Sequence, residues 1–406
     1  MSGHVDTVTD ATLATRPTGV IDRMNRKAIL LGAIGAAATV AGFFIERGTF
    51  FQSYLIGYMF WMYITLGSLG LLMVQHLSGG AWGIVSRRVF EAAVRTLPVM
   101  AILFIPIAMN LPALYVWARP EALNDPGIQV KAAYLNPTFF LARAVGYFVI
   151  WIAVGFTLAG WSAKQDIDAP VIPGPEDRKF RVLSGPGIVL YMITVTFMSV
   201  DWMMSLDPHW TSTIFGVLFV GSAGLSTLAF TIVILASLSE AKPMSELMSA
   251  DRFHDLGKLM YAFVLLWAYF SVSQLIIVWS GNLPEEIPFY LRRFQGTWGK
   301  VSWIVLFGHF VVPFVFLLSR RIKRNPKLAA RVALFILAMR AVEIAWMIAP
   351  MVRHGVNASG PNWVDFAAVL GLGLVWLVFF FRNLGARAVV PVHDPYLKGA
   401  FSNGGH

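Results

Sequence analysis

The chain has 406 residues, 57% of them hydrophobic and only 13% charged, with no cysteine and a formal net charge of +10. Soluble proteins lie near roughly 45–50% apolar and ~25% charged, so this composition excludes a water-soluble globule and indicates a polytopic membrane protein. The absence of cysteine excludes iron–sulfur ligation, c-type haem attachment, thiolate zinc and disulfides in this chain.

Ten apolar stretches follow one another along the chain, each close to the ~20 residues that cross a bilayer as a helix. They run Ala28–Ile45, Tyr54–Leu77, Thr96–Trp117, Thr138–Trp161, Gly187–Leu206, Ser212–Leu238, Leu259–Ser280, Val301–Leu318, Ala330–Pro350 and Trp363–Phe381. The predicted fold class is all-α: a ten-helix transmembrane domain over 28–381, between a tail of 1–27 and a tail of 382–406. The first 27 residues are polar, so no removable signal peptide is expected and the first helix directs insertion. The segment Ser86–Arg95, with Arg87, Arg88, Glu91 and Arg95, reads as an amphipathic lead-in lying along the interface before the third span.

Of the 32 Lys and Arg, 23 fall in the two tails and the loops after spans 2, 4, 6 and 8, and 7 in the alternate loops. Basic loops stay in the cytoplasm, so both termini are expected inside. The run Arg320, Arg321, Lys323, Arg324, Lys327 and Arg331 is then an anchor for anionic lipids, not a nucleic-acid surface. Trp117, Trp161, Trp210, Trp279, Trp298 and Trp363 fall at span ends, where indoles favour the interface.

The chain carries an internal echo. Ser53-Tyr-Leu-Ile-Gly57 opens span 2 and Ser212-Thr-Ile-Phe-Gly216 opens span 6. Leu66-Gly67-Ser68-Leu69 matches Leu225-Ser226-Thr227-Leu228 at the same offset. Val200-Asp201 precedes Pro208, and Val342-Glu343 precedes Pro350, at one spacing. Spans 2–5 (about 52–210) and 6–9 (about 211–350) therefore read as two four-helix bundles in parallel orientation, with spans 1 and 10 as flanks. Each bundle then holds one intramembrane acid.

A charge at the centre of a spanning helix costs roughly 2.5–3.5 kcal/mol on the mildest scale, so each needs a reason. Arg143 lies in span 4, Asp201 in span 5, His309 in span 8, Arg340 and Glu343 in span 9, and Asp365 opens span 10. One reading is ion pairing, Arg340 with Glu343 and Arg143 with Asp201, which fastens the bundles. The other is a proton path, with His309 as the switchable member and His76 on the cytoplasmic side. Tyr58, Tyr63, Ser68, Ser271, Ser273 and Gln274 are candidates to extend it. A transmembrane b-type haem is disfavoured because no span carries two histidines; a His76/His254 pair is the sole conceivable one. The Asp207-Pro-His209-Trp210 turn reads as a cap, with Asp207 and Ser212 on end amides. Two further readings are a midplane transporter site at the small residues near Gly67 and Gly224, and a quinone pocket of His309, Trp303 and Phe307.

Long motifs add a resemblance. These are Ser205-Leu-Asp-Pro-His-Trp-Thr-Ser-Thr-Ile-Phe-Gly216, His254-Asp-Leu-Gly-Lys-Leu-Met260, Trp267-Ala-Tyr-Phe-Ser-Val-Ser-Gln274, Trp279-Ser-Gly-Asn-Leu-Pro-Glu-Glu286 and Arg324-Asn-Pro-Lys327. Together, over essentially all ten spans, the chain resembles the ActF-type subunits of alternative complex III, a bacterial quinol:cytochrome c oxidoreductase. The resemblance implies two four-helix bundles plus flanking helices, related to NrfD-like membrane subunits, in a bacterial inner membrane. It implies as partners an NrfD-like subunit of the ActC type holding the quinol, a periplasmic iron–sulfur protein, multihaem and monohaem cytochromes c, and a terminal oxidase as further neighbour. Haem c and iron–sulfur clusters would sit in those partners, with no cofactor in this chain. It further implies a contribution to proton translocation; the alternatives are a purely structural subunit or a stand-alone secondary transporter.

Overall fold

The computed structural model describes residues 13–167, 175–353 and 360–397. Among them there is no strand, and ten helical segments are long and apolar enough to cross a bilayer. We label them α1 (Thr18–Ile45), α2 (Phe50–Ser78), α3 (Ala81–Met109), α4 (Pro137–Gln165), α5 (Arg178–Leu206), α6 (Phe215–Leu238), α7 (Ala250–Gly281), α8 (Gly296–Leu318), α9 (Pro326–Val352) and α10 (Trp363–Gly385). This is a multi-pass membrane protein. With an even number of crossings, α1 starts and α10 ends on one face, called here the N-terminal face.

Two helices make the axis. The apolar window of α2 is wholly buried and that of α6 is 83% buried, whereas other helices show lipid-ready apolar faces. α2 and α6 cross where Gly67 meets α6: a Cβ on Gly67 would collide with the Ala223 carbonyl oxygen. Thr227 Oγ1 donates to the Ile64 carbonyl at 2.9 Å beside that crossing. Small residues permit this approach because between membrane helices close van der Waals contact, not water exclusion, supplies the attraction.

Around this axis the helices close into two rings, α2–α3–α4–α5 and α6–α7–α8–α9. Across the seam α5 packs on α6 and α9 packs on α2, contacts that exchange when the two rings are swapped. The echo between the halves is thus a structural one. α10 lies on α2, with Trp376 Nε1 donating to Thr65 Oγ1 at 2.9 Å and the Trp61 and Trp376 rings stacked 4.8 Å apart. α1 touches the remainder mainly through α10, and three of its four buried residues are Gly32, Gly35 and Gly42. Both are flanks.

Three expectations are corrected. Ser86–Arg95 does not lie along the interface: α3 begins at Ala81, and residues from Gly83 to Val94 are buried inside the protein. The arginines tolerate this because carboxylates meet them. Arg88 pairs with Glu91 at 2.6 Å and Asp166 at 2.5 Å, and Arg87 with Asp394 at 2.7 Å. Asp394 belongs to the chain after α10, which folds back as a strap with Val389, Val390 and Leu397 buried; the tail from 382 is therefore packed through residue 397. Secondly, Trp117, Trp210 and Trp298 are at most 5% exposed and pack inside the protein, whereas Trp279 and Trp363 are exposed. Thirdly, Ser212 caps nothing, since α6 starts at Phe215; Asp207 instead accepts from the His209 amide and pairs with Arg292 at 2.7 Å.

Candidate functional site

Besides the cluster of Arg87, Arg88, Glu91, Asp166 and Asp394 described above, three buried charge clusters lie within or at the ends of the spans. In the first ring, Asp201 near the far end of α5 is fully buried. Arg143 on α4 donates to it through Nε and Nη2, both at 2.8 Å, and Tyr147 Oη donates to Oδ2 at 2.7 Å. Tyr147 follows Arg143 by four residues and so shares its helix face. The guanidinium lies over the Tyr134 ring at 3.8 Å and donates Nη1 to the Tyr134 carbonyl at 3.0 Å. Each oxygen of Asp201 is engaged, one of them twice. Burial and the neighbouring Asp201 charge push the phenol of Tyr134, in the loop before α4, upward.

At the end of α9, Arg353 closes a second such unit. Its Nη2 lies 2.5 Å from Asp365 Oδ1 and 3.2 Å from Ser53 Oγ, its Nη1 3.0 Å from Asp365 Oδ2, and its Nε 3.2 Å from Gln52 Oε1. Ser53 donates to Asp365 at 2.6 Å, and Asp365 Oδ2 accepts from the Asn362 amide at 2.8 Å in a capping box for α10. This cluster ties α2, α9 and α10 together.

The third cluster, in the second ring, differs. Glu343 and Arg340 are three residues apart on α9, with Arg340 Nη1 donating to Glu343 Oε2 at 2.8 Å. The other oxygen of Glu343 receives a single long bond, from Trp267 Nε1 on α7 at 3.3 Å. Arg340 donates Nε to Ser226 Oγ on α6 at 3.1 Å and lies 4.7 Å above the Tyr63 ring on α2. Its Nη2 has no hydrogen-bond partner among the described residues. His309, fully buried, stands 4.2 Å from the Trp267 ring, and neither ring nitrogen is hydrogen-bonded. On the same face of α7 as Trp267, two turns on, Gln274 is buried with Oε1 unpartnered. Native interiors pair such groups with protein or ordered water; the first ring holds a comparable set, among them Glu91 Oε1, Arg88 Nε and His76 Nε2.

The backbone contributes. Over Val305–Val311 α8 widens into a π-turn around His309. Pro313 supplies the reason: it has no amide for the His309 carbonyl, and its ring crowds that carbonyl, so the helix resets its hydrogen-bond register.

Sequence-predicted residues therefore divide. Asp201 joins Arg143, Glu343 joins Arg340 with His309 beyond Trp267, and Asp365 joins Arg353. His76 is buried at the N-terminal face, stacked 4.7 Å from Phe180 with Nε2 unpartnered, in the other ring from His309. Tyr63 Oη donates to the Met203 sulfur at 3.6 Å, Tyr58 donates to the Met100 carbonyl, and Ser68 bonds within its own helix. Among the described residues no hydrogen bond links them into a chain. The quinone walls do not form: Trp303 and Phe307 stack on each other at 5.9 Å on the exposed surface, away from buried His309. The midplane patches are filled, Gly67 by α6 and Gly224 by the Phe263 ring. Trp267, Ser226, Arg353 and Tyr147 were missed by reading the sequence; only Tyr147, four residues from Arg143, left a signal.

The chain was compared with protein-family profiles and with curated proteins, and none matches.

Proposed function

We propose that this chain is a membrane subunit of a quinol-oxidising respiratory complex of the alternative complex III type, set in a bacterial inner membrane with the N-terminal face cytoplasmic. Its motif resemblance and its paired four-helix rings support that reading, and its basic loops support the orientation. Electrons pass through partners: an NrfD-like quinol-binding subunit, an iron–sulfur protein and cytochromes c. This chain contributes a proton-exchanging group in its second ring.

The observation that carries the proton role is the incomplete partnering of Glu343 and His309 inside a buried cluster. A carboxylate fixed on one oxygen and nearly free on the other can take a proton at a modest loss of contacts. A neutral imidazole with two unengaged nitrogens accepts on one and donates from the other. The chemistry is proton transfer alone: Glu343 holds the proton at Oε1, and Arg340 sets the electrostatic field that decides when it leaves. In the complex reconstituted into vesicles, Glu343→Gln is expected to keep quinol oxidation and lower the proton-to-electron ratio. An unchanged ratio overturns the proposal.

A structural brace is the second reading, favoured by Asp201. Its carboxylate is saturated by Arg143 and Tyr147, as expected of a fastening and not of an exchanging group. We assign Asp201, Arg143 and Asp365 to bracing, so Asp201→Asn is expected to change stability and leave the proton ratio unchanged.

A further inference from the structure

At the N-terminal face, where α1 begins beside the turn after α6, a cavity of 330 Å³ opens to the surface. Its wall includes Thr18, Gly19 and Val20 of the first turn of α1, together with Arg16, Arg23 and Lys242. Arg16 and Arg23 are exposed and form no ion pair among the described residues. Lys242, also on the wall, pairs with Glu246 at 3.0 Å and keeps a 67% exposed side chain. Asp22 adjoins Arg23 in sequence, but consecutive helical positions diverge by about 100°, so it is not its face-mate.

We propose that this concavity holds the phosphate of an anionic lipid headgroup from the adjoining leaflet. Two unpaired arginines, and a lysine shared with Glu246, line a site with room for one phosphodiester, at the level where a spanning helix enters the headgroup zone. None of the three is buried, so the site is too wet to retain a small free anion; a lipid adds acyl contact with the helix above. That contact is supplied by α1, whose Leu30, Leu31 and Ile34 are exposed at 65%, 59% and 61%. The Arg320–Arg331 patch adjoins it: Lys327 pairs at 3.1 Å with Glu240, two residues before Lys242, and Arg324 pairs with Asp251 at 2.7 Å.

The test is lipid retention by the full-length protein in neutral detergent, read by native mass spectrometry during titration with phosphatidylglycerol, phosphatidylcholine or inorganic phosphate. Wild type is expected to retain one phosphatidylglycerol about tenfold more tightly than phosphatidylcholine, and the triple variant Arg16→Gln, Arg23→Gln, Lys242→Gln to lose that preference. Neutralising Arg320, Arg321 and Arg331 instead should leave the tight copy in place. The proposal is overturned if the first variant retains the lipid as wild type does. It is equally overturned if millimolar inorganic phosphate displaces the tight copy. Because all three residues are exposed, an unchanged melting temperature serves as the folding control.

Discussion

At the scale of single residues, two acids of similar depth have opposite fates, and the difference lies in their partners. Asp201 meets a two-pronged guanidinium and a phenol; Glu343 meets one guanidinium nitrogen and a distant indole. Removing one member of a buried pair leaves an uncompensated charge and costs about 3–5 kcal/mol, while removing both is far milder. Arg143→Leu alone should therefore lower the melting temperature in detergent strongly, and Arg143→Leu with Asp201→Leu should recover most of the loss. A purely additive double variant would remove the claim that this pair is a brace. The same cycle on Arg340 and Glu343 is expected to show weaker coupling, because Arg340 also bonds Ser226 and lies over Tyr63. Outside the spans, Arg293 is buried against Phe289 at 3.4 Å with no carboxylate partner, and burial pulls its guanidinium down to about 9. It serves by donating to the Phe289 and Met347 carbonyls, pinning the short helix Ile287–Phe294 to α9.

At the scale of elements, the contacts of α2 govern the molecule. Gly67→Leu would drive a side chain into the Ala223 carbonyl, with no flexible neighbour to yield, so loss of folded protein is expected in detergent gel filtration. Gly146→Leu on α4, where a Cβ meets open space, is the matched control and should fold. The strap makes a second element-level case. Arg87 lies 4% exposed with Asp394 as its carboxylate, so deleting residues 386–397 strands a buried cation. That deletion should destabilise the first ring, and Arg87→Gln in the truncated chain should restore part of it. Elements were partly legible beforehand. All ten apolar stretches were found, but α1, α5 and α7 start nine or ten residues before them, at Thr18, Arg178 and Ala250, and α1 takes in part of the expected tail 1–27. The third starts fifteen residues early, at Ala81, hidden because Arg87, Arg88 and Glu91 look like a wet helix. Their neutralisers sit at Asp166 and Asp394, far along the chain.

At the scale of the whole molecule, the absence of cysteine allows orientation to be mapped cleanly. In intact cells a membrane-impermeant thiol reagent is expected to label Glu285→Cys, and to reach Glu240→Cys only after permeabilisation; the reverse pattern would invert the assigned orientation. Mild extraction of the tagged chain from its native membranes should bring covalently bound haem with it. Recovery as an active single-chain transporter would instead remove the respiratory assignment.

The sequence alone determined that the chain carries ten stretches able to cross a membrane, and it raised the expectation of repeated halves. It also determined that charged groups lie within the spans, because hydropathy, small-residue echoes and charge bias are local properties. Only the tertiary structure decided which of those charges are saturated and which are left with open hydrogen-bonding capacity. Such partnering depends on directions at the seams between helices: Tyr147 turns toward Asp201, Trp267 comes between His309 and Glu343, and Pro313 resets the register of α8. No pattern along one strand of sequence records how side chains from four helices meet, and the candidate site exists only in that meeting.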